Sequence, residues 1–210
     1  MRTLATTAMT VVGALLAACG GGGGNPGGKA NLTPAGSTPT PSQQVADFVG
    51  TWVADCAGRT QETDVITQVS AGTLSIAQQT DYYSGTGCTG FVIATQTQSS
   101  PVTATFTGTA TATVALPPSS TATPVTVALL SGTVSPYTVS FTGTGVTRTT
   151  TGGQPSWCVN YGANDQQCFA DEGLRPASTT TTALYVSGNQ LYELTPSGST
   201  YTVTQRLTKR

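Results

Sequence analysis

Residues 102–114 run VTATFTGTATATV, and every second residue is a threonine. Successive side chains on a strand point to opposite faces. Val102, Ala104, Phe106, Gly108, Ala110, Ala112 and Val114 would therefore share one face, and six threonines the other. That is the pattern of a half-buried strand with a threonine ladder in water. The same period governs 138–145, where Val139 and Phe141 oppose Thr138, Ser140, Thr142 and Thr144, and 200–208, where Tyr201, Val203, Gln205 and Leu207 fall together. Further strands are predicted at 49–55, 62–70, 73–80, 90–97, 124–130, 180–187 and 190–195. Ala71-Gly72 and Gly188-Asn189 sit where two-residue hairpin turns want a positive φ. Pro117-Pro118 and Pro196-Ser197-Gly198 mark further turns. No stretch has helical spacing. The expected fold class is all-β, an antiparallel up-and-down barrel of eight to ten strands, with a β-sandwich as the alternative.

Composition narrows the chemistry. Of 210 residues, eight are basic and nine acidic, and about a fifth are threonine. Solubility rests on hydroxyls and amides rather than charge. The chain contains no histidine, which removes Ser-His-Asp and Cys-His catalysis and most zinc sites. A near-neutral chain cannot build the basic surface that nucleic acid requires, so no nucleic-acid partner is expected. Gly85-x-Gly87 is no phosphate loop, because no helix follows it. Asp55, Glu62, Asp64 and Glu193 cannot be assigned to a facing catalytic pair from sequence. No enzyme activity, metal or cofactor is expected.

The first 18 residues carry Arg2 and an apolar run over 8–17 interrupted only by Thr10. That run is too short to span a bilayer and reads as an export signal. It ends in Leu16-Ala17-Ala18-Cys19, which resembles the lipobox of bacterial lipoproteins. The resemblance implies cleavage before Cys19 and acylation of that residue. Membrane attachment would then be through lipid, and the glycine after the cysteine favours the bacterial outer membrane. Residues 19–46 form a Gly-, Pro- and Thr-rich tether too poor in apolar surface to fold. Residues 47–210 remain for the barrel.

Beyond the inner membrane thiols are oxidised, so Cys56, Cys88, Cys158 and Cys168 are expected as disulfides. Three connectivities are open, and sequence order favours Cys56–Cys88 with Cys158–Cys168. Neither a metal nor a redox site is expected, since no Cys-x-x-Cys exists.

Asp47-Phe48-Val49-Gly50-Thr51-Trp52 stands at the first strand. A Gly-x-Trp there, after an aromatic residue, resembles the lipocalins and the wider calycin group. The resemblance implies an eight-stranded barrel closed at one end by Gly50 and Trp52, with a basic side chain of the last strand over the indole. Arg206 is the residue expected in that place. Small inward residues on 102–114 would leave room for a ligand. Residues 149–178, without alternation, are expected as a loop at the barrel mouth, with Trp157, Tyr161 and Phe169 for binding. The function expected is a lipid-anchored envelope protein binding a small hydrophobic or amphipathic ligand. The alternative is a protein-interaction domain, such as an envelope structural factor or a lysozyme-type hydrolase inhibitor.

Overall fold

The computed structural model describes residues 45–162, 164–197 and 200–210. The signal, Cys19 and most of the tether lie outside the described residues. The fold is all-β and antiparallel. Its strands are β1 (Gly50–Ala54), β2 (Thr60–Ser70), β3 (Thr73–Gly85), β4 (Thr89–Gln98), β5 (Val102–Ala115), β6 (Ala122–Val134), β7 (Val139–Thr142), β8 (Val146–Thr151), β9 (Gln154–Gly162), β10 (Asp165–Ala170), β11 (Ser178–Ser187), β12 (Gln190–Ser197) and β13 (Thr200–Lys209).

Eight of these close a ring in the order β1-β2-β3-β5-β6-β11-β12-β13, with β13 returning to β1. Closure leaves no free edge in the ring, which an open sheet of this length would expose. Strand β3 is long enough to serve two neighbours. Its first half pairs with β5 through Thr73–Ile76, and its second half pairs with β4, which in turn carries β7. The meander is thus interrupted twice, by β4 and by β7–β10. Strands β8, β9 and β10 form a separate three-stranded sheet.

The barrel interior is identified by a buried cluster drawn from every ring strand: Trp52, Ile66, Leu74 and Ile76 meet Ala104, Leu130, Leu184, Leu191 and Leu207. A turn at residues 45–48, in which Phe48 N–H donates to the Val45 carbonyl at 3.2 Å, pushes Val45 and Phe48 into the same cluster. Val45 and Phe48 thus pack with the barrel strands. These side chains seal one end.

The faces expected from strict alternation are broken by two bulges. On β5, Phe106 pairs with Leu130 but Gly108 pairs with Leu129, so Thr107 is the extra residue. One inserted residue moves every following side chain to the other face. Val102, Ala104 and Phe106 face the barrel interior. Ala110, Ala112 and Val114 instead join Val127, Ala183, Tyr192 and Leu194 in a second core. A bulge at Thr204 does the same to β13, leaving Gln205 and Leu207 on the barrel side while Tyr201 and Val203 enter the second core. Strand β5 lies against β13 there without backbone pairing. The small residues of 108–114 are packing residues of that second core and do not line the barrel interior.

Residues 149–178 are no mouth loop. They hold the second half of β8, all of β9 and β10, and the connection into β11. Gly152 and Gly153, both at positive φ, make the β8–β9 turn.

Candidate functional site

The sealed end is built around Trp52, whose indole N–H donates to the Phe48 carbonyl at 2.7 Å. Lys209, paired with Trp52 across β1 and β13, holds its Nζ 5.0 Å from the ring centroid. A Cβ at Gly50 would come within 2.8 Å of the Lys209 Cε, so Gly50 leaves the space in which that side chain lies. Gly50 and Trp52 are where the sequence places them, but the cation over the indole is Lys209. Arg206 is three residues away toward the opposite end, where its Nε donates to Asp55 Oδ2 at 3.1 Å. Three residues along a strand span roughly 10 Å, too far for Arg206 to reach the indole while paired to Asp55.

At that opposite end the barrel opens into a pocket of about 310 Å³. Its rim is formed by Asp55, Arg206 and the tight turn 57–60, in which Ala57 and Thr60 exchange backbone hydrogen bonds of 2.9 and 3.0 Å. The Cys56–Cys88 disulfide fixes this rim to the β3–β4 turn. Ala54, Thr80, Gln205 and Glu62 line the pocket within.

Glu62 begins a column of carboxyls. Period two puts Glu62 and Asp64 on the inward face that also carries Ile66. Gln78 Nε2 donates to Glu62 Oε1 at 3.3 Å, and Gln205 also hydrogen-bonds to Glu62. Asp64 is 1% exposed, and neither of its oxygens has a hydrogen-bond partner. Glu62 and Gln78 are its nearest polar neighbours. Glu193 reaches the same interior from β12, where it pairs with Gln205 and Leu184. Burial, followed by the charges of Glu62 and Glu193, pushes Asp64 up to about 8. Burial and then Glu62 push Glu193 up to about 7. Burial also raises Glu62 above the usual carboxylate range, against the lowering effect of its Gln205 hydrogen bond. Desolvation disfavours the charged form of each, and each charge disfavours the next.

Trp157 and Phe169 lie elsewhere, and Tyr161 meets the rim turn through Arg59 without lining the pocket. Phe169 stacks on Phe141 at 5.0 Å and meets Tyr82 edge-on at 5.7 Å, while Trp157 lies 6.2 Å from Phe141. These contacts glue the three-stranded sheet to the β3–β4–β7 extension. Tyr161 lies under the Arg59 guanidinium at 4.6 Å, and Arg59 also pairs with Asp165 at 2.7 Å. Trp157 and Phe169 border a cleft of only about 60 Å³. The Cys158–Cys168 disulfide bridges directly opposite residues of β9 and β10. Both disulfides follow the pairing that sequence order favours.

The acidic column is what sequence reading missed as a unit. Glu62 and Asp64 share the parity of Ile66, a signal sufficient to place them inward. Glu193 shares the parity of Leu191, but Tyr192 and Leu194 on the other face are also buried, because the second core covers that side of β12. Among the described residues, no cluster of acidic or cysteine side chains has the arrangement of a metal site. No helix among them is long and apolar enough to cross a membrane. The class defined by fold and site is a small β-barrel with one sealed end and one open, carboxyl-floored end. No family model, no curated protein and no solved structure matches this chain.

Proposed function

We propose that the protein is a lipid-anchored, non-enzymatic barrel of the bacterial outer membrane that binds a small amphipathic molecule through its open end. The observation that carries this reading is the asymmetry of the barrel. One end is filled by Val45, Phe48 and Trp52, and the other holds the roughly 310 Å³ pocket. That volume is at the lower limit of ordinary ligand pockets, so the ligand is small. The interior beneath it is packed with side chains, so the ligand sits at the mouth rather than deep along the axis. The lipobox resemblance at Cys19 supplies the anchor, and the sealed-end arrangement of Gly50, Trp52 and a basic last-strand residue fits the lipocalin-like reading, with Lys209 in the role expected of Arg206.

The test is titration calorimetry of the full chain in lipid nanodiscs, with empty nanodiscs as blank. The probes are three six-carbon amphiphiles: hexylammonium, hexanol and hexanoate. At least one should bind, and Ala57→Trp, which places a large ring on the rim turn, should abolish that binding. Failure of all three, or binding unaffected by Ala57→Trp, refutes a ligand pocket. Indole fluorescence is a poor reporter, because Trp52 lies at the sealed end and Trp157 in the other sheet.

A further inference from the structure

We infer that the pocket selects a small organic cation, whose protonated amine is received by Glu62 at the floor, with the carboxyls of Asp64 and Glu193 behind it. This deepens, and rests on, the reading of the open end as a ligand pocket. Three observations carry it. First, the cavity reaches a carboxylate: Glu62 lines it, and the inward face of β2 leads one step deeper to Asp64. Second, Asp64 is 1% exposed and both its oxygens lack a partner. A carboxylate accepts up to about four hydrogen bonds, and leaving one buried and unpartnered is costly. An ammonium group carries donors only, the complement of this acceptor-only site. Third, the cations of the barrel are engaged elsewhere. Arg206 is held at the rim by Asp55, and Lys209 lies over Trp52 at the sealed end. The pocket has room for an organic head with its carbons, and the carboxyls are not arranged around a metal ion.

The groups facing this floor are Glu62 and Asp64 from β2, Gln78 from β3, Glu193 from β12 and Gln205 from β13, with the Arg206–Asp55 pair above. At pH 6.5 the raised value of Asp64 keeps its carboxyl largely protonated, and Glu193, raised to about 7, shares in the titration. A cation bound at Glu62 favours their charged forms, so a proton leaves the protein as the amine enters. The proton passes to buffer, and the ligand keeps its own.

The experiment is titration of the full chain in nanodiscs at pH 6.5 in two buffers of different ionisation enthalpy. Hexylammonium should bind at least tenfold more tightly than hexanol, and hexanoate should not bind. The heat should depend on buffer in proportion to the proton released. Glu62→Gln should weaken hexylammonium by about ten- to a hundredfold, the range for a hydrogen bond to a charged group, and Asp64→Asn, one step behind it, should weaken it by less. They should also reduce the proton release. Both changes remove a carboxyl whose ionisation opposes folding, so the variants remain folded, which a thermal melt verifies. If hexanol or hexanoate binds as well as hexylammonium and Ala57→Trp abolishes it, the pocket stands and the cation assignment falls. If hexylammonium binds Glu62→Gln, Asp64→Asn and Glu193→Gln as well as the wild type, the cation assignment also falls. If no probe binds, the pocket reading fails with it.

Discussion

Asp64→Asn should stabilise the protein, and by an amount that grows with pH. The carboxyl is 1% exposed and has no hydrogen-bond partner, and its pKa is held at about 8 against a usual 3.8. A raised pKa in the folded state means that the native protein binds a proton which the unfolded chain has released. Below about pH 4 both states are protonated, and the group costs nothing through ionisation. Between 4 and 8 the unfolded state gains by ionising while the native state cannot, so stability falls as pH rises. At 1.36 kcal/mol per unit, the penalty is on the order of 1–2 kcal/mol at pH 5, 4 kcal/mol at pH 7 and 5 kcal/mol at pH 8.

Asparagine has nearly the same shape and does not titrate. Its hydrogen bonding with Glu62 and Gln78 differs from that of the acid, but it contributes no ionisation of its own. The quantity to measure is therefore the difference between variant and wild type as a function of pH. A domain of this size shifts its melting temperature by roughly 2–4 °C per kcal/mol. Asp64→Asn should gain about 10 °C on the wild type between pH 5 and pH 8, followed by circular dichroism. The absence of histidine leaves few other groups titrating in that window. Glu193, raised to about 7, adds a slope of the same sign that persists in the variant. Parallel pH curves for the two proteins would refute the placement of Asp64 in a closed interior.

Four further outcomes test other parts of the structure. Removing the cross-links by paired Cys→Ala changes should cost about 4 kcal/mol for Cys56–Cys88 and about 3 kcal/mol for Cys158–Cys168, from their separations of 32 and 10 residues; peptide mapping without reductant that joins Cys56 to Cys158 would overturn the pairing. Lys209→Met should lose about 0.5–1 kcal/mol of cation–π contact with Trp52, measured by urea unfolding, whereas Arg206→Met should leave the sealed end unaffected. Deleting Thr107 would return Ala110, Ala112 and Val114 to the face of Phe106 and put threonines into the second core. That should cost more than about 4 kcal/mol, and a near-neutral deletion would contradict the bulge. Cys19→Ala should abolish incorporation of labelled palmitate; continued labelling would end the lipobox reading.

The alternation of 102–114 and its relatives was enough to read an antiparallel β fold and to locate ten of its strands. It failed at two kinds of place, each for a physical reason. Strands β8 and β10 are short and polar, and β9 buries Cys158 and Val159 in succession, so period two is faint there. At Thr107 and Thr204 the pattern is unbroken in sequence, yet the chain inserts a residue. Alternation reports which residues share a face only while pairing is regular, and a bulge is decided by the partner strand and by what each half must pack against. The cation over Trp52 was misassigned for a related reason. Arg206 and Lys209 lie on the same strand, and only the register of β13 on β1 brings Lys209 opposite Trp52.

The acidic column shows what such a chain does with scarce charge. It has only nine acidic residues in 210, and its surface is made wettable chiefly by threonine. Three of the nine nevertheless stand on the inward faces of the barrel, the position where a carboxylate costs most. Glutamine is already used beside them at 78 and 205, and leucine at 184 and 191, so the barrel accommodates both amide and aliphatic side chains at neighbouring inward positions. Either would relieve the penalty calculated for Asp64. Fold stability therefore gives no reason for Glu62, Asp64 and Glu193 to be acidic. The opening of the pocket onto Glu62 supplies one, because a cation bound there would offset the mutual repulsion of all three groups.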